Sequence, residues 1–124
     1  MKSKGLNFIH INTRSLLPKL EELRIIAAET RVAVIGVTET WLDYSVANAE
    51  VEIPGYHFLR KDRNREGGGV GLYIRSDLTF NHRTDLDSDI ETVWCDLLLP
   101  KTKPIVIGVC YRAPRQTEFF DKLE

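Results

Sequence analysis

Soft-metal and thiol chemistry has little to work with in this chain: its 124 residues hold two cysteines, three histidines and one methionine. Cys95 and Cys110 lack the close spacing of zinc ligands, and both fall inside apolar strand patterns. They read as small buried hydrophobes of a reducing compartment; a strand pairing that joined them as a disulfide is the alternative, which nothing in the sequence favours. His10, His57 and His82 show no pairing spacing and read as structural or surface residues. No apolar stretch approaches the roughly 20 residues of a membrane span, and the first residues lack the apolar segment of a secretory leader. The expectation is an intracellular protein with no membrane partner. An excess of either charge is missing too: 17 Lys and Arg face 18 Asp and Glu, giving a net charge of -1 and a pI near 6.3. That excludes a global basic field for nucleic acid and leaves room only for a local one.

Two motifs fail for want of a residue. Gly67-Gly68-Gly69 runs into Val70 with no Gly-Lys-Ser/Thr and opens no helix, so it is not a phosphate loop; it supplies positive φ angles for a turn. Asp85, Asp87 and Asp89 alternate like calcium ligands, but the glycine and the closing glutamate of such a loop are missing, which leaves an exposed loop.

With 43% hydrophobic and 28% charged residues the composition is that of one globular domain. Leu6 to Ile11 reads as a first strand. Leu16, Leu20, Leu23, Ile26 and Ala27 recur at helical spacing within Ser15 to Thr30, and the helix begins between the capping Ser15 and Pro18. Val32 to Thr38, rich in β-branched residues, is a second strand buried on both faces, which makes a βαβ unit. The pattern then turns all-strand. Tyr56 to Leu59 and Val70 to Arg75 flank a long polar hairpin tip, and Glu91 to Leu98 pairs with Ile105 to Tyr111 around a Pro-Lys-Thr-Lys-Pro turn. Gln116 to Glu124 begins a further amphipathic helix. One helix and part of another are thin cover for these apolar strands. The chain therefore reads as part of a larger domain, with an apolar sheet face left open.

Glu39 is the residue with most to say. It follows the second strand, and a carboxylate at the carboxyl end of a buried strand is where open α/β folds place ligand and metal chemistry. Asn12 ends the first strand at the same sheet edge. Taken singly, Glu39 is also compatible with a solvated loop residue, Asn12 with a turn residue satisfying its own backbone, and Tyr111 with a half-buried strand aromatic. Arg60, Lys61, Arg63 and Arg65 form a basic hairpin tip. It either neutralises phosphates or is a solvated tip, partly cancelled by Asp62 and Glu66. Trp41 packs the floor beneath Glu39.

Four stretches together carry a resemblance. They are Leu6 to Leu16 with its strand and asparagine loop, Val34 to Leu42 around Thr38-Glu39-Thr40-Trp41, the hairpin from Pro54-Gly55-Tyr56 to Gly67-Gly68-Gly69-Val70, and Val106 to Pro114 with Tyr111-Arg112. In this order and spacing they resemble the endonuclease/exonuclease/phosphatase superfamily, and within it the apurinic-like endonuclease domain of non-LTR (LINE-type) retrotransposons. The resemblance implies an α/β fold: residues 1–124 would be the N-terminal half of a four-layer sandwich, two β-sheets flanked by helices. It implies phosphodiester hydrolysis in DNA supported by Mg²⁺, with Mn²⁺ as a substitute, and a nuclear location.

By position, Glu39 would be the metal ligand, Asn12 would orient the metal site or phosphate, and Tyr111 would place its hydroxyl near the scissile phosphate. Arg60, Lys61, Arg63, Arg65 and Arg112 would contact nucleic acid. A hard divalent cation held by one or two carboxylates and several waters suits this set. The chain departs from the pattern in lacking the later Asp-x-Asn and Ser-Asp-His motifs. It also carries Arg14 where some relatives have an acidic residue, and Arg115 where relatives often have asparagine. Without the water-activating group and the histidine, the 124 residues are expected to be catalytically inert alone. A non-catalytic remnant with weak nucleic-acid binding, and another phosphoesterase of the superfamily acting on lipids, remain as alternatives.

Overall fold

The structure is a computed structural model in which residues 6–86 and 91–111 are described. It consists of β1 (Phe8–Asn12), α1 (Leu20–Thr30), β2 (Val34–Thr38), β3 (Tyr56–Lys61), β4 (Val70–Arg75), β5 (Thr79–His82), β6 (Glu91–Leu98) and β7 (Ile105–Tyr111). A four-stranded sheet has the order β1-β2-β4-β3 and a three-stranded sheet the order β5-β6-β7. β1 and β2 run parallel, while β2 with β4 and β3 with β4 are antiparallel. The helix expected over Gln116 to Glu124, Arg112, Arg115, Asp87 and Asp89 lie outside the described residues.

Alternation along the strands of the first sheet builds three layers. On one face Ile35, Val37 and Tyr73 join Leu16, Leu20, Leu23 and Ala27 of the helical segment, together with Val46, Val51 and Ile53 of the long loop. On the other face Val34, Val70, Leu72 and Ile74 meet Val93, Cys95, Leu97 and Val109 of the second sheet. β2 is buried at all five positions, as its run of apolar residues predicts. Tyr73 is the largest fully buried side chain. Its ring stacks on Phe58 at 3.9 Å and 6°, and its hydroxyl donates to the Val51 carbonyl at 2.6 Å.

The two outer strands behave differently. β1 alternates between exposed and half-buried residues, and β7 is exposed at most of its positions. Phe8, Ile105 and Val106 stand in solvent. A groove of about 360 Å³ runs between β1, β2 and β7, lined among others by Phe8, Val34, Leu72, Ile107 and Val109. The groove opens between the two sheets, along apolar residues that they turn towards each other. The reading of Cys110 as a buried hydrophobe is corrected: Cys95 is buried, but Cys110 is an exposed free thiol, because it lies on the face of β7 opposite Val109, the residue that packs between the sheets.

Three local features depart from the sequence pattern. Ser15 does not cap α1. It lies at φ 86°, and a 3-10 turn over Leu17–Lys19, containing Pro18, precedes the helix. β5 was hidden because only Phe80 of its four residues is even partly buried; pairing with β6 holds it in place. β3 runs on to Lys61 rather than ending at Leu59. Among the described residues no helix is long and apolar enough to cross a membrane.

Candidate functional site

The parallel pairing of β1 and β2 sets Asn12 opposite Thr38, so both strands deliver their next residues to one sheet edge. The ladder continues past the strands. The Thr13 amide donates to Thr38 O at 2.9 Å, Ser15 to Glu39 O at 2.8 Å and Leu16 to Thr40 O at 3.0 Å. The buried Thr13 hydroxyl adds bonds to Thr38 O at 3.0 Å and Glu39 O at 2.9 Å. The two loops are thus tied together at almost every residue.

That tying supports an unusual backbone. Of six non-glycine residues with positive φ among the described residues, four sit in these loops: Arg14 at 46°, Ser15 at 86°, Glu39 at 54° and Trp41 at 54°. Each left-handed L-residue costs on the order of 1 kcal/mol. Such conformations persist only where surroundings over-determine them, and they concentrate at functional sites. Here the result is that the Asn12 amide Nδ2 donates to Glu39 Oε2 at 2.8 Å. One carboxylate oxygen is anchored, and the half-buried carboxylate keeps lone pairs for another partner.

A third wall comes from the glycine turn before β4. The Thr40 amide donates to Gly69 O at 3.3 Å and the Trp41 amide to Gly68 O at 2.9 Å. Gly68 and Gly69 have φ of 68° and 93°, and a Cβ on Gly69 would collide with the Thr40 hydroxyl. Only glycine fits this close approach. The turn is in turn held by Glu91, whose Oε1 accepts the Gly69 amide at 2.7 Å. Its Oε2 accepts Arg63 Nε in a short ion pair. Glu91 faces Tyr111 across the β6–β7 ladder, and the Arg63 guanidinium lies 5.9 Å from the Tyr111 ring centroid. Glu91 therefore links the two sheets at the site, a role the sequence reading missed.

Tyr111 feels this neighbourhood. Burial first, and then the charges of Glu39 and Glu91, push its phenol above the usual tyrosine range, with Arg63 and Arg14 opposing. It is a neutral hydrogen-bond donor at pH 7. Asn12, Glu39 and Tyr111, singled out separately in the sequence, thus come together at one edge of the sandwich. Thr40 Oγ1 and Trp41 Nε1 are buried there without a partner among the described residues.

The basic tip is less free than its sequence suggests. Arg60 donates to both Asp62 oxygens at 3.0 and 2.7 Å, to Asn48 Oδ1 at 2.9 Å and to Asp43 O at 3.0 Å. It fastens the hairpin to the 43–48 loop. Arg63 is engaged by Glu91, Arg65 is exposed, and Lys61 is half-buried. Among the described residues no group of three or more His, Cys, Asp or Glu could enclose a metal. One anchored, half-open carboxylate still fits a hard cation that keeps most of its waters and borrows further oxygens from a phosphate.

No protein-family profile matches the chain, and no curated protein does. Solved structures do. The AP endonuclease LMAP from Leishmania major superposes with a TM-score of 0.68 at 21% identity, over 87% of this chain and 40% of that one. The endonuclease domain of TRAS1, a telomere-specific non-LTR retrotransposon, gives 0.65 at 14% identity, over 96% and 51%. The chain has the endonuclease/exonuclease/phosphatase fold. The 3′ phosphatase NExo from Neisseria, solved with a product DNA hairpin, shares it at 0.61 and 16% identity, over 92% and 47%. The chain spans about half the length of these structures, and its two sheets with α1 correspond to the N-terminal part of the fold's sandwich.

Proposed function

We propose that Asn12, Glu39 and Tyr111 form the N-terminal share of a Mg²⁺-dependent DNA endonuclease site, of the kind that nicks target DNA for a non-LTR retrotransposon. The observation that carries this reading is the Asn12–Glu39 hydrogen bond, at the edge of the sandwich to which the second sheet delivers Tyr111, in a fold shared with DNA-acting enzymes. Glu39 would hold Mg²⁺, which when bound polarises phosphoryl oxygens and stabilises charge on the leaving oxygen. Asn12 fixes the carboxylate so that its free oxygen keeps one direction. Tyr111, neutral at pH 7, donates its hydroxyl to a phosphate oxygen. None of the three is a general base for the attacking water.

Two outcomes are therefore expected of the 124-residue chain. It binds a DNA duplex with a salt dependence of about two released counterions. It also leaves supercoiled plasmid intact in Mg²⁺. Binding is read by fluorescence anisotropy across a salt series and nicking by gel. Absence of salt-dependent binding would remove the nuclease reading. A Mg²⁺-dependent nick that disappears in Glu39→Ala would instead mean that the residues present suffice for catalysis.

A further inference from the structure

Between Asn12 and the helical segment lies Arg14, a cation that neither orients Glu39 nor braces the hairpin. Arg14 is exposed and takes part in no hydrogen bond or ion pair among the described residues. Its neighbours contrast with it. Arg60 is latched to Asp62, Asn48 and the Asp43 carbonyl, Arg63 is latched to Glu91, and Lys19 donates to Thr13 O at 2.6 Å. A guanidinium already neutralised by a carboxylate contributes little to holding a phosphate, because the new bond must replace an old one. Arg14 carries no such cost.

Its backbone is placed with equal definition. The amides of Thr13, Ser15 and Leu16 are each fixed to successive carbonyls of residues 38–40. The Arg14 amide alone is left out of that ladder. The residue is held at φ 46°, a conformation that costs an arginine energy and that the flanking bonds impose. The outcome is a guanidinium without a partner among the described residues, two residues from Asn12, on the loop that binds the Glu39 backbone. Its charge is close enough to bear on the Tyr111 hydroxyl.

We propose that Arg14 is a phosphate-binding residue of this site: its guanidinium takes a backbone phosphate of the DNA strand whose scissile phosphate faces Glu39 and Tyr111. This rests on the DNA reading above. The planar fork matches two phosphate oxygens, which a lysine point charge would not. The latched Arg60 and Arg63 then serve mainly to shape the site, and Arg14 binds.

The test measures duplex affinity by anisotropy over a salt series for the parent chain, Arg14→Ala, Arg14→Lys and Lys103→Ala. Lys103 is an exposed cation in the β6–β7 turn, at the edge opposite Tyr111. Arg14→Ala is expected to bind about tenfold more weakly, with a salt slope smaller by about one. Arg14→Lys should keep the slope and recover part of the affinity, and Lys103→Ala should match the parent. Arg14→Ala within twofold of the parent at unchanged slope would overturn the assignment while leaving the DNA reading in place. So would equal losses for Arg14→Ala and Lys103→Ala, which would indicate diffuse attraction. A parent chain that binds no DNA would overturn both.

Discussion

Glu39→Gln is expected to bind duplex DNA more tightly than the parent chain in EDTA, and to lose the response to Mg²⁺ expected of the parent. Without a cation, the Glu39 carboxylate and a backbone phosphate are like charges at one site. At 4 Å and an effective dielectric near 20, such a pair repels by about 4 kcal/mol, which solvent and salt reduce to about 1 kcal/mol at a half-open site. Removing the charge should tighten binding in EDTA about fivefold, at the rate of about 1.4 kcal/mol per tenfold. Glutamine keeps an oxygen to accept the Asn12 amide, so the local geometry survives. In millimolar Mg²⁺ the parent should gain about tenfold, as repulsion turns into a shared cation, while the variant stays flat. Anisotropy titrations with and without Mg²⁺ read both effects. A variant with the parent's EDTA affinity, or with an intact Mg²⁺ response, would place the phosphate and the cation away from Glu39.

Tyr73→Ala is expected to cost about 4 kcal/mol, the usual loss for a fully buried aromatic. The ring is fully buried, stacks face to face with Phe58 and ties β4 to the long loop through the Val51 carbonyl. Burial holds its phenol far above the ordinary tyrosine range, so it is a neutral donor at neutral pH. With total domain stabilities of about 5–15 kcal/mol and an uncovered groove beside β1 and β7, this chain has little to spare. Urea unfolding should show the cooperative transition displaced by more than half, or lost. Tyr73→Phe isolates the hydrogen bond and should cost about 1 kcal/mol. An unfolding midpoint for Tyr73→Ala close to the parent's would mean that the stacked pair is not part of the cooperative core.

Much of the framework was legible because it rests on local pattern. The continuous apolar run 32–38 announced a strand covered on both faces, which forms over Val34–Thr38, and Glu91 to Leu98 and Ile105 to Tyr111 kept the bounds read from alternation. What escaped was set by tertiary contacts. Ser15 has the chemistry of a helix cap, but its amide is claimed by the Glu39 carbonyl, which forces the left-handed turn instead. Alternation gave Cys110 a face of β7 without saying whether any layer covers that face. β5 has too few buried residues to show a period, and only its partner strand defines it.

The site divides in the same way. Asn12 and Glu39 were legible because each stands at the carboxyl end of a strand, and parallel pairing brings such ends together. Glu91 was not, because its meaning depends on the register that places it opposite Tyr111 and on the Gly69 amide approaching from another hairpin. The charge of Arg60 was visible in the sequence. Its partners Asp43 and Asn48 lie in a distant loop and were not.

Central to the proposed function is that Glu39 accepts a divalent cation beside Asn12 and Tyr111. Mn²⁺ titrated into isotopically labelled chain reports this through distance-dependent broadening of NMR signals. The prediction is early, selective loss of the Asn12 side-chain amide and of the backbone amides of residues 39–41, followed by Tyr111, with all of these spared in Glu39→Gln. Broadening that begins at Asp85 or another exposed acidic loop, and leaves Asn12 untouched, would contradict it.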